Sequence, residues 1–284
     1  MNRRNLFRLG FYGSLGAAGY GSLIERRTPV IERAICRLPG RHAALDGLTV
    51  ATMSDFHHDE FHDNSLMAGA VETLNGLNPD LVLLPGDFIS RDERGVDTLA
   101  DHLARLRAPL GVFASLGNHD QWADAGAIVR RLSRAGIPVL RNAATRLRAP
   151  RSGAVFHLGG LESAWAGHPD FARLARGIPR DEPIVLGWHE PDPFDTLADP
   201  RVLLQVAGHT HGGQVCAPLW GAIKLPRHGR KYVAGLFERG DARLYVTRGI
   251  GSMGVPVRFC CPPEISLIEF RATADRQPEK TLNA

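Results

Sequence analysis

The sequence predicts an α/β fold in which two mixed β-sheets face each other with helices outside, a four-layer α-β-β-α arrangement. Two observations carry that expectation. In the first half, short apolar runs alternate with segments of helical period, which reads β-α-β-α-β-α-β and implies a mainly parallel sheet covered by helices. In the second half, apolar runs succeed one another with weak helical patterning between them, which supplies a second sheet.

Taken in order, "LTVATMSD" (48–55) and "LVLLPGD" (81–87) are apolar runs ending on an acidic residue, the pattern of buried strands that deliver a polar group at their C-terminal ends. Between them Leu66, Ala70, Leu74 and Leu77 recur at helical spacing, and Val96, Leu99, Leu103 and Leu106 do so after the second strand. "GVFASLGN" (111–118) is the next strand, followed by a helix around Ile128 and Leu132 and a strand near "IPVL". The second half offers strands at 154–160, 183–190, 202–209, 243–249 and 265–270, with one helical segment from Phe171 to Ala175. No repeat or low-complexity linker interrupts residues 28–271, which read as one domain, and 272–284 read as a polar tail.

Hydrophobic content of 44% and charged content of 23% are those of an ordinary globular protein. The net charge of +4 is concentrated at the start, where Arg3, Arg4, Arg8, Arg26 and Arg27 stand against Glu25, so the rest of the chain is neutral. No nucleic-acid partner is indicated. Residues 1–27 combine the adjacent Arg3 and Arg4 with an apolar, glycine-rich run from Gly10 to Ile24, too short to span a roughly 30 Å hydrocarbon core comfortably. The segment is similar to a twin-arginine export signal, which implies the export machinery as a partner and the cell envelope as destination. The alternative is a membrane anchor that leaves the domain on the cytoplasmic face. The four cysteines, Cys36, Cys216, Cys260 and Cys261, lack C-x-x-C spacing and read as buried packing residues rather than a zinc or redox site.

The chemistry lies at strand ends. Asp55 and His57 follow the first strand, Asp87 the second, Asn118, His119 and Asp120 the third, and His189, His209 and His211 end strands of the second half. Any one of these has a bland explanation in turn preference or structural hydrogen bonding. Together they deliver Asp, Asn or His from separate strands to the C-terminal edge, where α/β sheets assemble sites. Their O and N donors, without thiolate, suit Mn²⁺, Fe or Zn²⁺, and their number suits two ions bridged by a carboxylate.

The ordered series D-x-H, G-D, G-N-H-D, H, G-H-x-H, spanning residues 55 to 211, resembles the calcineurin-like metallophosphoesterases. The resemblance implies that Asp55, His57 and His211 hold one metal, that Asn118, His189 and His209 hold the other, and that Asp87 bridges. It further implies that His119 faces the phosphoryl or leaving oxygen, that Asp120 orients its imidazole, and that a hydroxide held between the metals attacks phosphorus. "RLPGRHAALDGLTVATMSD", "GHTHGGQ" and "LYVTRGIGSMGVPVRFCCPPEISLIEF" are similar to the subgroup of exported or membrane-associated phosphodiesterases. The expected activity is therefore phosphodiester hydrolysis, on a small-molecule or lipid-linked substrate. The alternatives are a membrane pyrophosphatase of a UDP-linked lipid precursor, of the UDP-2,3-diacylglucosamine type, and a scaffold without catalysis. "GIGSMG" (249–254) imitates a dinucleotide fingerprint, but Pro256, Pro262 and Pro263 preclude the helix that should follow it. Arg248 and Arg258 near it are candidates for meeting substrate phosphate, and His58 is expected to be structural.

Overall fold

The computed structural model describes residues 16–59 and 63–272. The Arg3–Arg4 pair and nearly all of the expected tail lie outside the described residues. Two sheets face each other. The first holds β1 (Val30–Leu38), β13 (Glu264–Ala272), β2 (Thr49–Thr52), β3 (Leu81–Leu84) and β4 (Val112–Ala114), in that order. The second holds β11 (Gly235–Arg239), β12 (Ala242–Val246), β8 (Val202–Ala207), β7 (Ile184–Gly187), β6 (Val155–Gly160) and β5 (Ala143–Arg148). Strands β2, β3 and β4 run parallel, as do β6, β7, β8 and β12. A two-stranded hairpin, β9 (Cys216–Ala217) with β10 (Gly221–Ala222), stands apart.

The pleat explains why the central strands are apolar throughout. In β3, Leu81 and Leu83 join the core shared by both sheets, with Phe156, Leu158, Val185 and Val206. Val82 and Leu84 face the other way, into a core completed by α2 (Asn64–Gly76), α3 (Gly95–Leu103) and α5 (Ala125–Arg134). A strand buried on both faces has no polar alternation to show. Helix starts follow local chemistry: Asp63 caps α2 by accepting from the Leu66 N–H, and Asp124 caps α5 by accepting from Ala127.

Three features differ from expectation. Pro138 has no N–H to give a ladder, so "IPVL" forms one bridge, Val139 with Ala114, and no strand. The second sheet's outer face is covered by a single turn of helix, α6 (Phe171–Leu174), and by irregular segments, packed over Leu161, Ile184, Leu186 and Trp188. The segment before residue 28 is not separate where it is described. Residues 16–23 form helix α1; the Arg258 N–H donates to the Gly21 carbonyl, and the buried Glu25 carboxylate accepts from the Cys260 and Cys261 amides.

Candidate metal centre

The strands that run parallel in each sheet finish at one shared edge, and the loops beyond them carry the polar residues inward. Asp55 and His57 follow β2, Asp87 follows β3, Asn118 follows β4, His189 follows β7, and His209 and His211 follow β8. All seven side chains are buried. The ligand atoms of Asp55, His57 and His211 lie within 4.8 Å of one another, and so do those of Asp87, His189 and His209. Asp87 sits between the groups, its Oδ2 3.1 Å from His189 Nε2 and 3.6 Å from His57 Nε2. His211 Nε2 is 3.5 Å from Asp55 Oδ1 and 3.1 Å from His57 Nε2.

Backbone geometry sets these positions. Asp55, His57, Asp87, His209 and His211 have φ of 53°, 44°, 56°, 74° and 52°, the left-handed region that costs L-residues energy and that Asp and His tolerate better than most. The glycines of "GNHD" and "GHTH" answer a second demand. A β-carbon on Gly117 would overlap the Asp87 carboxylate, and one on Gly208 would overlap that of Asp55.

Hydrogen bonds to the outer shell choose which imidazole nitrogen is free. His189 Nδ1–H donates to the Pro85 carbonyl at 2.8 Å, His209 Nε2–H donates to the Arg227 carbonyl at 2.7 Å, and His57 Nδ1 pairs with Ser90 Oγ at 2.9 Å. The opposite nitrogens are left to bind. Burial holds the His57 imidazole down to about 3, that of His209 down to about 4, and that of His211 well below its ordinary value, so all three are neutral. Burial also opposes a charge on His189, but the Asp87 and Asp55 carboxylates outweigh it and push this imidazole up to about 10. Burial raises Asp55 to about 6 and Asp120 to about 7.

Asn118 supplies the test of fit for a metal. It lies between Gly117 and His119, both of which meet the Asp87 carboxylate, and its Oδ1 and Nδ2 are buried without a hydrogen-bond partner among the described residues. A buried amide left unsatisfied is costly and uncommon. Beside two carboxylates and four imidazoles, an orphaned carbonyl oxygen is what a dinuclear divalent centre of O and N donors needs.

His119 is less buried than the ligands and lies within the same 4.8 Å range of His57 and Asp87. Its Nδ1–H donates to the Ser90 carbonyl at 3.0 Å, which leaves Nε2 free. The role expected of Asp120 is therefore corrected. Its carboxylate accepts the backbone N–H groups of Asp87 and Gly117 on one oxygen and Phe88 on the other, at 2.8, 2.9 and 2.9 Å, and the Ser90 carbonyl orients the His119 ring. Asp120 staples the loop after β3 to the loop after β4. Arg248 and Arg258 are corrected too: Arg248 pairs with Glu32 and Glu264, while fully buried Arg258 donates to the carbonyls of Gly249, Gly251, Arg248 and Cys261. His58 is buried beside His102.

Two residues without a role in the motif also frame the site. Trp122 stands edge-on to His119 with ring centroids 4.9 Å apart, Trp165 meets Trp122 at 4.9 Å, and Trp165 meets His209 at 5.8 Å. Trp122 ends α4 (Asn118–Trp122), the one-turn helix formed by "NHDQW". Ser90 and Trp165 lie outside the motif and carry no periodic signal.

The calcineurin-like phosphoesterase family model matches residues 48–213. The chain is 31% identical to the uncharacterized metallophosphoesterase YkuE of Bacillus subtilis, over 96% of this chain and 99% of that protein. It is 36% identical to the phosphodiesterase YaeI of Escherichia coli, over 77% of this chain and 80% of that one. It is 25% identical to the UDP-2,3-diacylglucosamine pyrophosphatase LpxG of Chlamydia trachomatis, over 84% and 88% respectively.

Proposed function

The chain belongs to the calcineurin-like phosphoesterase family and is a metal-dependent phosphoester hydrolase, and we propose that its substrates are phosphodiesters. The convergence of two ligand groups on Asp87, with the Asn118 amide left for a metal, carries the hydrolase reading, and the likeness to the phosphodiesterase YaeI supports the choice of diester. Divalent cations held by Asp55, His57 and His211 and by Asn118, His189 and His209, with Asp87 shared, would supply Lewis acidity toward the phosphoryl oxygens and lower the pKa of water. The mixed O and N donor set accommodates Mn²⁺, Fe or Zn²⁺, and of these we propose Mn²⁺.

The chain's own contribution is positional. His119, fixed through Nδ1 to the Ser90 carbonyl, presents Nε2 as the atom that gives a proton to the leaving oxygen. Asp120 holds the turn that carries Asn118 and His119 against the Asp87 loop. Arg248 and Arg258 are engaged elsewhere and add no cation beyond the metals for the second charge of a monoester dianion, whereas a diester carries one charge.

The test is turnover of bis(p-nitrophenyl) phosphate, p-nitrophenyl phosphate and a nucleoside-diphosphate pyrophosphate by the metal-reconstituted chain. The diester kcat/KM should exceed that of the monoester by about tenfold or more, a difference of roughly 1.4 kcal/mol in transition-state binding. A monoester hydrolysed as well or better overturns the proposal. Asp87→Asn should lose both metal and turnover. Preferential turnover of the pyrophosphate would favour the second reading, the activity in the name of LpxG. Export remains part of the proposal on the strength of the Arg3–Arg4 pair, and a reporter fused after Ala284 that is active only outside the cytoplasm would support it.

A further inference from the structure

A groove of about 410 Å³ begins at His209 and His211 and runs away from the metal centre between Val215, Ile223, Leu225 and Val255. At its outer end the β9–β10 hairpin carries Leu219, 105% exposed, Trp220, 89% exposed, and Ile223, 70% exposed. Leu219 has φ of 71°, where turns ordinarily use Gly or Asn. An aliphatic side chain there incurs backbone strain and hydration cost together, and among the described residues no burial compensates it. The 253–255 loop adds exposed Met253 and Val255, and Gln214 ties it to the hairpin by donating to the Met253 and Val255 carbonyls. Helix α1 abuts this loop through Gly21 and Val257, and Tyr20, Leu23 and Ile24 at its end are exposed as well.

Charge identifies what this face meets. Neither segment that builds the groove, 209–237 or 242–263, contains an Asp or Glu. The first carries Lys224, Arg227, Arg230 and Lys231 directly after the apolar hairpin, of which Lys231 pairs with Asp195. Lys224, Arg227 and Arg230 form no ion pair among the described residues, although the Asp192 carboxylate accepts the Arg230 and Lys231 backbone N–H groups, and exposed Trp and Leu followed by such cations match the composition of surfaces that enter the headgroup region of an anionic bilayer.

We infer that this face docks on an anionic lipid bilayer, with Leu219 and Trp220 inserted, so that the groove receives the apolar part of a lipid-linked phosphoester whose phosphorus lies at the metal centre. The inference rests on the hydrolase reading for the second clause only. The basic segment is joined to the site itself, since the Arg227 carbonyl accepts from His209 Nε2–H.

The experiment is co-flotation of the full, metal-loaded chain with vesicles of phosphatidylcholine and phosphatidylglycerol at 7:3, against pure phosphatidylcholine. Turnover of bis(p-nitrophenyl) phosphate is measured separately without vesicles. The wild type should float with the anionic vesicles, more weakly at high salt and on the neutral ones. Leu219→Ser with Trp220→Ser should cut the bound fraction by about tenfold or more while leaving soluble turnover unchanged. Lys224→Glu with Arg230→Glu should abolish the preference for anionic vesicles. Failure of the wild type to float, equal flotation of the serine variant, or a serine variant that instead changes a dimer to a monomer overturns the docking inference. Flotation without hydrolysis of any phosphoester leaves the surface standing and removes the hydrolase reading.

Discussion

Replacing Asn118 by Leu should make the metal-free protein more stable while destroying its chemistry. The two side chains are nearly isosteric, and Asn118 is 1% exposed with both polar atoms unpartnered. Leaving a buried polar group unsatisfied costs about 1–3 kcal/mol, and an apolar group of similar shape relieves that cost. For a chain of this size about 1 kcal/mol moves the melting temperature by roughly 2–4 °C, so in EDTA the variant should melt several degrees above the wild type. With metal the order should reverse, because ligand at a hundredfold its Kd stabilises the native state by about 2.7 kcal/mol and the variant lacks a ligand at one of the two positions. Scanning fluorimetry in EDTA and in excess Mn²⁺, with diester turnover in parallel, reads both effects. If the variant melts at or below the wild type in EDTA and retains turnover, Asn118 is a satisfied structural amide and the dinuclear assignment fails.

Metal loading should release protons in a manner set by His189. In the metal-free chain its imidazole is raised to about 10, so the proton contributes stability that is fully present below the ordinary value near 6.5 and is lost as pH rises through about 10. Near pH 8 a metal must displace that proton, and calorimetry in buffers of different ionisation enthalpy should show about one proton fewer released by His189→Gln; equal release would refute the assignment. His119→Ala should keep its metal content, measured by mass spectrometry, and lose roughly 10²- to 10⁴-fold in kcat. Arg258→Met should destabilise the fold and raise protease sensitivity in the 248–261 segment, because it orphans carbonyls now satisfied by one guanidinium. Cys260 is exposed rather than the buried packing residue expected, so in a mass-spectrometric alkylation map at pH 8 it should react and Cys36, whose thiol burial pushes up to about 12, should not.

The central strands were legible in the sequence because burial on both faces leaves an unbroken apolar run, as in "LVLL". In the two facing sheets the strands without a sequence signal, β1, β5 and β11, are all edges, and the two-residue β9 and β10 carry none either. Their sequences, "VIERAICRL", "AATRLR" and "GLFER", carry the charges that keep edges from pairing with other chains and that mask strand character. The candidate ligands were legible for a related reason: nothing but a demanding loop puts Asp or His directly after such a run, again and again. The roles of Asp120, Arg248 and Arg258 were not legible, since a residue type states which bonds a side chain can make and only the fold decides which it does make. Arg227, and Ser90 in its contact with His119, act through oxygens of the main chain, which every residue possesses and no sequence pattern advertises.

The left-handed backbone at Asp55, His57, Asp87, His209 and His211 has a consequence for descent. These conformations are imposed by the sheets and loops around them, so they would persist in a lineage that abandoned metals and retained the architecture. Once relieved of coordination, such positions should drift toward Gly and Asn and away from Val, Ile and Thr, whose branched β-carbons fit that backbone worst. The shape of the loops would then outlive the reaction they were built for, and a catalytically silent descendant could be recognised by glycine standing where aspartate and histidine once did.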